Sequence, residues 1–117
     1  MEIVNIYDEY REVNKNYVDF IEELVSKNFE GFSEDFVMSN LENFQNSIGD
    51  LKIKADELEI SDENVDNLKD LKYLIVDTLF LTFDLNNFYK IKEFERFKMR
   101  FANYVNKRRR DEMLKTF

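Results

Sequence analysis

Four aspartates are the first residues whose type and spacing suggest chemistry. On a helix at about 100° per residue, Asp70, Asp77 and Asp84 recur every seven positions, and Asp66 joins their face. An all-carboxylate cation site would use such a stripe. Hard cations, however, usually gather oxygens from a tight loop with a glycine turn, and this chain has glycine only at Gly31 and Gly49. A solvated acidic face is therefore expected, and no metal site. Asp77 is the only charge between Tyr73 and Phe83. Burial would make it a candidate acid or base, but its register with Asp70 and Asp84 predicts an exposed carboxylate.

Other routes to catalysis lack their residues. The chain contains no cysteine and no histidine, which removes thiolate sites, the commonest general base and the commonest transition-metal ligand. Phosphate loops, nucleophile elbows and dinucleotide-binding turns need glycines that are absent. Dinuclear sites in helical bundles draw on Glu-x-x-His pairs. No catalytic residue, cofactor or enzymatic activity is expected.

Two constellations remain as candidate binding surfaces. Leu74 and Leu81 lie on the aspartate face, each between two acids, and give an apolar strip rimmed by Asp70, Asp77 and Asp84. That is the anatomy of a protein-binding surface, with a homodimer as its simplest form. The alternative is that another helix of the same bundle covers the strip. The second constellation is the basic C-terminal quarter. It interleaves Phe94, Phe97, Phe101 and Tyr104 with Arg96, Lys98 and Arg100, and closes on Lys107, Arg108, Arg109 and Arg110. Cations with interleaved rings suit single-stranded nucleic acid or an acidic protein partner. At helical spacing the same rings form one stripe of the kind that fills a core, and the cations suit the C-terminal end of a helix dipole.

The elements that position these residues are helical. Proline is absent and glycine occurs twice in 117 residues, too little turn chemistry for a sheet. Ile3, Ile6, Tyr10, Val13, Tyr17, Phe20 and Leu24 alternate spacings of 3 and 4, which predicts a first helix over about 2–30, ended by Gly31 in the left-handed position. Ser33 caps a second helix over about 34–59, with Phe32 and Val37 as a hydrophobic staple. Its seam of Val37, Leu41, Phe44, Ile48, Leu51, Ala55 and Leu58 passes through Gly49, where a bend is expected. A third helix over about 62–83 begins at Ser61, flanked by Ile60 and Val65. Its core face is read as Leu68, Leu71, Ile75, Leu79 and Phe83. Asp84 then caps a fourth helix over about 85–115. The rival for this half is one kinked helix about 80 Å long, which the first two helices would hardly cover.

The expected fold is all-α: an antiparallel bundle of four helices, forming one domain over residues 1–117. A parallel two-stranded coiled coil fits less well, because its seam prefers Ile, Val and Leu to Tyr10, Tyr17, Phe20 and Phe44. The net charge of −8 is uneven, at −14 over residues 1–84 and +6 over residues 85–117. No signal peptide or membrane span is evident, so a cytoplasmic location and no membrane partner are expected. The wealth of Asn, Lys, Ile and Phe suggests an AT-rich bacterial or phage genome. The function expected is that of a non-catalytic protein-protein interaction module: a small regulator, inhibitor or assembly adaptor. The alternatives are a nucleic-acid-binding subunit, or an acidic mimic of nucleic acid that blocks a basic groove.

Overall fold

The computed structural model describes residues 3–59 and 61–115. It contains four helices, α1 (Ile3–Ser26), α2 (Glu34–Glu57), α3 (Val65–Lys90) and α4 (Phe94–Lys115), with a 3-10 turn at Asp62–Asn64 and no strand among the described residues. The helices run up and down. Glu9 bonds Lys54 and Phe20 packs near Phe36 across α1 and α2. Lys72 meets Asp56 and Asn86 meets Gln45 across α2 and α3. Arg100 meets Asp84 across α3 and α4. In each helix pair, residues early in one helix meet residues later in its neighbour, as antiparallel packing requires.

α3 is the central element and packs against the other three helices. Its residues facing α2 (Lys72, Asn86) and those facing α4 (Asp77, Asp84) are more than a quarter turn apart. α2 and α4 therefore flank α3 while α1 covers its inner side. The result is a flattened bundle, 48 × 31 × 19 Å. The core has two lobes. One is built by Ile6, Tyr10, Ile48, Leu51, Leu71 and Ile75 of α1, α2 and α3. The other adds α4 through Phe97, Phe101 and Tyr104, around Tyr17, Leu41, Leu81 and Leu85.

Both helix ends expected from the sequence fall elsewhere, for one physical reason. α1 stops at Ser26 rather than at residue 30. Phe29 donates its amide to the Leu24 carbonyl (2.9 Å) and Asn28 donates to Val25 (2.9 Å). This pair of bonds is a Schellman motif, and its left-handed residue is Asn28 (φ 52°), not Gly31 (φ 84°), which lies three residues further on. The motif turns Phe29 inward, where it stacks on Phe94 and meets Phe97 edge-on. α3 ends the same way. Glu93 donates to Phe88 and Lys92 to Tyr89, with Lys92 at φ 60°. The break between α3 and α4 thus lies at 91–93 and not at 82–84, and Asp84 is an interior helical residue rather than a cap. Non-glycine residues close both helices, so Gly31 does not mark the first end and the Asp84 cap does not mark the other.

The starts of the helices are mixed. The Ser33 hydroxyl accepts from the Phe36 amide (3.1 Å) as expected, whereas the Ser61 side chain makes no capping bond and the chain enters α3 through the 3-10 turn. Ile60, half of the expected staple there, lies outside the described residues. α2 continues through Gly49 without interruption.

A left-handed lysine is strained by roughly 1 kcal/mol, a cost glycine avoids. Lys92→Gly is accordingly expected to raise stability by about 1 kcal/mol, read as a higher urea midpoint at unchanged slope.

Candidate functional site

The third helix buries a line that keeps the 3–4 alternation: Leu68, Leu71, Ile75, Thr78, Thr82, Leu85 and Tyr89. The face expected from the sequence leaves this line after Ile75 by two steps of four, to Leu79 and Phe83. Each such step adds about 40°, and the outcome is graded. Leu79 is half-buried and Phe83 is 45% exposed.

Of the two readings of the Leu74/Leu81 strip, an open contact surface or a face covered by another helix, the structure has the second, with α4 as the covering helix. Leu81 is fully buried in the lobe that α4 completes, and Leu74 is half-buried against the other lobe. Asp77, expected to be exposed, retains only 18% of its side-chain surface and lies 3.4 Å from both Lys107 and Arg108. Asp84 bonds Arg100 at 2.9 Å. Asp66 and Asp70 stay in solvent. Among the described residues no three carboxylates come together.

The basic residues divide accordingly. Arg100, Lys107 and Arg108 turn toward α3. Lys107 also donates to the Tyr73 hydroxyl, a bond that raises its pKa above the usual lysine value. Arg96, Arg109 and Arg110 face solvent and make no ion pair among the described residues.

Arg108 anchors a polar layer between the two lobes that sequence reading did not find. Its guanidinium donates to the Leu74 carbonyl (3.0 Å) and to the Thr78 hydroxyl (3.1 Å), and lies 4.9 Å from the Tyr104 ring centre. Thr78 bonds Tyr10 (2.8 Å) and Tyr104 (2.9 Å), and Tyr104 donates to Asn14 (2.7 Å). One proton arrangement satisfies the hydroxyls, while the buried Arg108 Nε is left without a partner. Tyr104 gives its proton to Asn14, Thr78 donates to Tyr104, and Thr78 accepts from Tyr10 and Arg108. Burial opposes the charge on Arg108, but the surrounding phenol oxygens and Asp77 outweigh it, and the guanidinium stays ionised. An open cleft beside this layer is walled by Tyr7, Tyr10, Arg11, Asn14, Lys15 and Asp111. The layer holds α1, α3 and α4 in register. Nucleophile, base and oxyanion donors do not converge in it.

Burial raises the Tyr104 and Tyr17 phenols well above their ordinary value. The sign follows directly. Above pH ~10 the unfolded chain loses these protons while the folded chain keeps them, so stability falls with rising pH. Each phenol contributes up to about 1.4 kcal/mol per pH unit in that range. The expected result is cooperative alkaline unfolding in which part of the tyrosinate absorbance appears only as the helix signal is lost.

The surface that remains open lies on the other side of α3. Tyr73, Val76, Phe80 and Phe83 follow spacings of 3, 4 and 3 on the outer face, in the wedge between α2 and α4. Tyr73 is 53% and Phe80 57% exposed. Ile53 on the adjoining edge of α2 and Met99 on that of α4 are exposed as well. The spacing was visible in the sequence. It was hidden by a helix that is apolar on nearly every side, where periodicity alone does not say which face is covered.

No family model matches this chain, and neither a curated protein nor a solved structure matches it. No helix among the described residues is long and apolar enough to cross a membrane.

Proposed function

We propose that the chain is a non-catalytic binding module that docks onto another protein through the outer face of α3. The observation that carries this reading is the run of half-exposed large side chains at Tyr73, Phe80 and Phe83 on a helix that packs against α1, α2 and α4 on its other sides. Scattered apolar residues are normal on protein surfaces. A contiguous strip of aromatics, bordered by charge, is how protein interfaces are built. The strip replaces Leu74 and Leu81 as the contact surface, and Asp77 and Asp84 serve to hold α4 in place. The nucleic-acid alternative draws on Arg96, Arg109 and Arg110. It is the weaker reading, because Lys107 and Arg108 are spent within the fold.

Site-specific photo-crosslinking tests the proposal. A benzoylphenylalanine replacing Phe80 is expected to form protein adducts in cell extract of the source organism, while one replacing the exposed Ala102 on the far side of α4 forms few. Equal labelling from both positions, or none from position 80, contradicts the docking face.

A further inference from the structure

We infer that the occupant of this face is a second copy of the same chain, held in a two-fold dimer with the α3 helices side by side and parallel. The inference rests on the docking reading above and names its partner.

The spacing of the strip is the first support. Tyr73, Val76, Phe80 and Phe83 continue in the same rhythm to Lys69 on one side and Asn87 on the other. This is a short heptad seam with polar ends, and parallel packing sets each position against its own copy.

Charge selects the parallel arrangement. Cross-helix pairs fix the heights along the bundle, through Asp56 with Lys72 and Gln45 with Asn86 on one side, and Asp84 with Arg100 and Asp77 with Lys107 on the other. By this register Glu42 of α2 and Arg96 of α4 stand at the same height, as do Glu57 and Arg110. All four are exposed, and none has an ion-pair partner among the described residues. Helical spacing puts Glu42, Arg96 and Arg110 on the edges bordering the strip. Within one chain α3 separates these acids from these bases. A two-fold axis along α3 exchanges left and right without changing height. It therefore lays the α2 edge of one copy over the α4 edge of the other, and Glu42 meets the second copy's Arg96 twice. An axis across α3 would set acid on acid and base on base. An isologous interface requires this kind of self-complementarity.

Gly49 agrees with close approach at this face. It sits inside α2, where glycine costs about 1 kcal/mol relative to alanine, yet beyond the backbone of its own helix an added Cβ would meet nothing within 4 Å. Packing within the chain does not require the glycine, and the register sets it level with the middle of the strip. The area is of the right order as well. Three half-exposed rings offer roughly 300 Å², and Ile53, Met99 and the charged edges extend this toward the roughly 800 Å² per partner of a stable interface.

Light scattering and sedimentation equilibrium at 0.1 M salt test the inference. The wild-type chain is expected at twice 14.3 kDa. Arg96→Glu and Glu42→Arg are each expected to raise the dimer dissociation constant about tenfold, since each disrupts two symmetry-related pairs. The double variant is expected to return to within about threefold of wild type. Rescue carries the weight, because the two residues do not meet within one chain. A wild-type monomer at 100 µM, a double variant no better than either single one, or a dimer unaffected by Phe80→Ser would overturn the inference. A monomer whose position-80 crosslinker captures a different protein removes the second copy but leaves the docking face standing. A monomer with no adduct removes both.

Discussion

Arg108→Ala is expected to lower stability by about 3 kcal/mol and to do so without touching the outer face of α3. Two losses combine. Asp77, with 18% of its side chain in solvent, loses the guanidinium that faces it and retains only Lys107. Breaking a buried pair from one side costs on the order of 3–5 kcal/mol, and less where a second cation and some solvent remain. The Leu74 carbonyl and the Thr78 hydroxyl lose a charged donor, a bond type worth about 1.5–3 kcal/mol and not additive with the first. Urea unfolding followed by circular dichroism reads the effect. Removing Asp77 together with Arg108, in Asp77→Asn with Arg108→Met, should recover part of the loss, since the two charges no longer require each other. A loss below about 1 kcal/mol for Arg108→Ala would return this residue to the solvated basic cluster.

Leu81→Ala is expected to cost about 3 kcal/mol, because Leu81 is fully buried between α3 and α4 and truncating such a leucine typically costs 2–5 kcal/mol. Its neighbour Phe80 is expected to behave in the opposite way. With 57% of its surface in water, Phe80→Ala should change the stability of the monomer by no more than about 0.5 kcal/mol. One step along a helix turns the chain by about 100°, and here that step separates core from contact surface. Comparing the two variants by urea unfolding at low protein concentration keeps any contribution of association out of the result.

The seams of α1 and α2 were legible from spacing alone. Ile6, Tyr10, Tyr17 and Leu24, and Val37, Leu41, Ile48 and Leu51, are buried as their alternation requires. Helix class followed from the missing proline and scarce glycine. Two things were not legible. Helix ends depend on which residue accepts a left-handed conformation, and Asn28 and Lys92 do so because the chain must turn there to stack Phe29 on Phe94. No local signal marks a lysine for that role. The covered face of α3 depends on where α4 lies, and that in turn depends on where α3 ends. Placing the break at 82–84 shortens α3 by two turns and leaves open whether Leu74 and Leu81 are covered. With the break at 91–93, α4 folds back along Asp77 and Asp84 and leaves Phe80 open. The polar layer joins residues 10, 14, 78, 104 and 108, and no periodicity links positions so far apart.

The central claim is that α3 carries two apolar faces, one sealed by α4 and one open for docking. The most direct test is the double variant Phe80→Ser with Phe83→Ser, followed in one series by urea unfolding and by the mass of the native species. The account predicts a monomer unfolding free energy within about 1 kcal/mol of wild type and loss of the associated species. A folded variant that still associates at wild-type strength, or a chain that loses its helical signal, would contradict it.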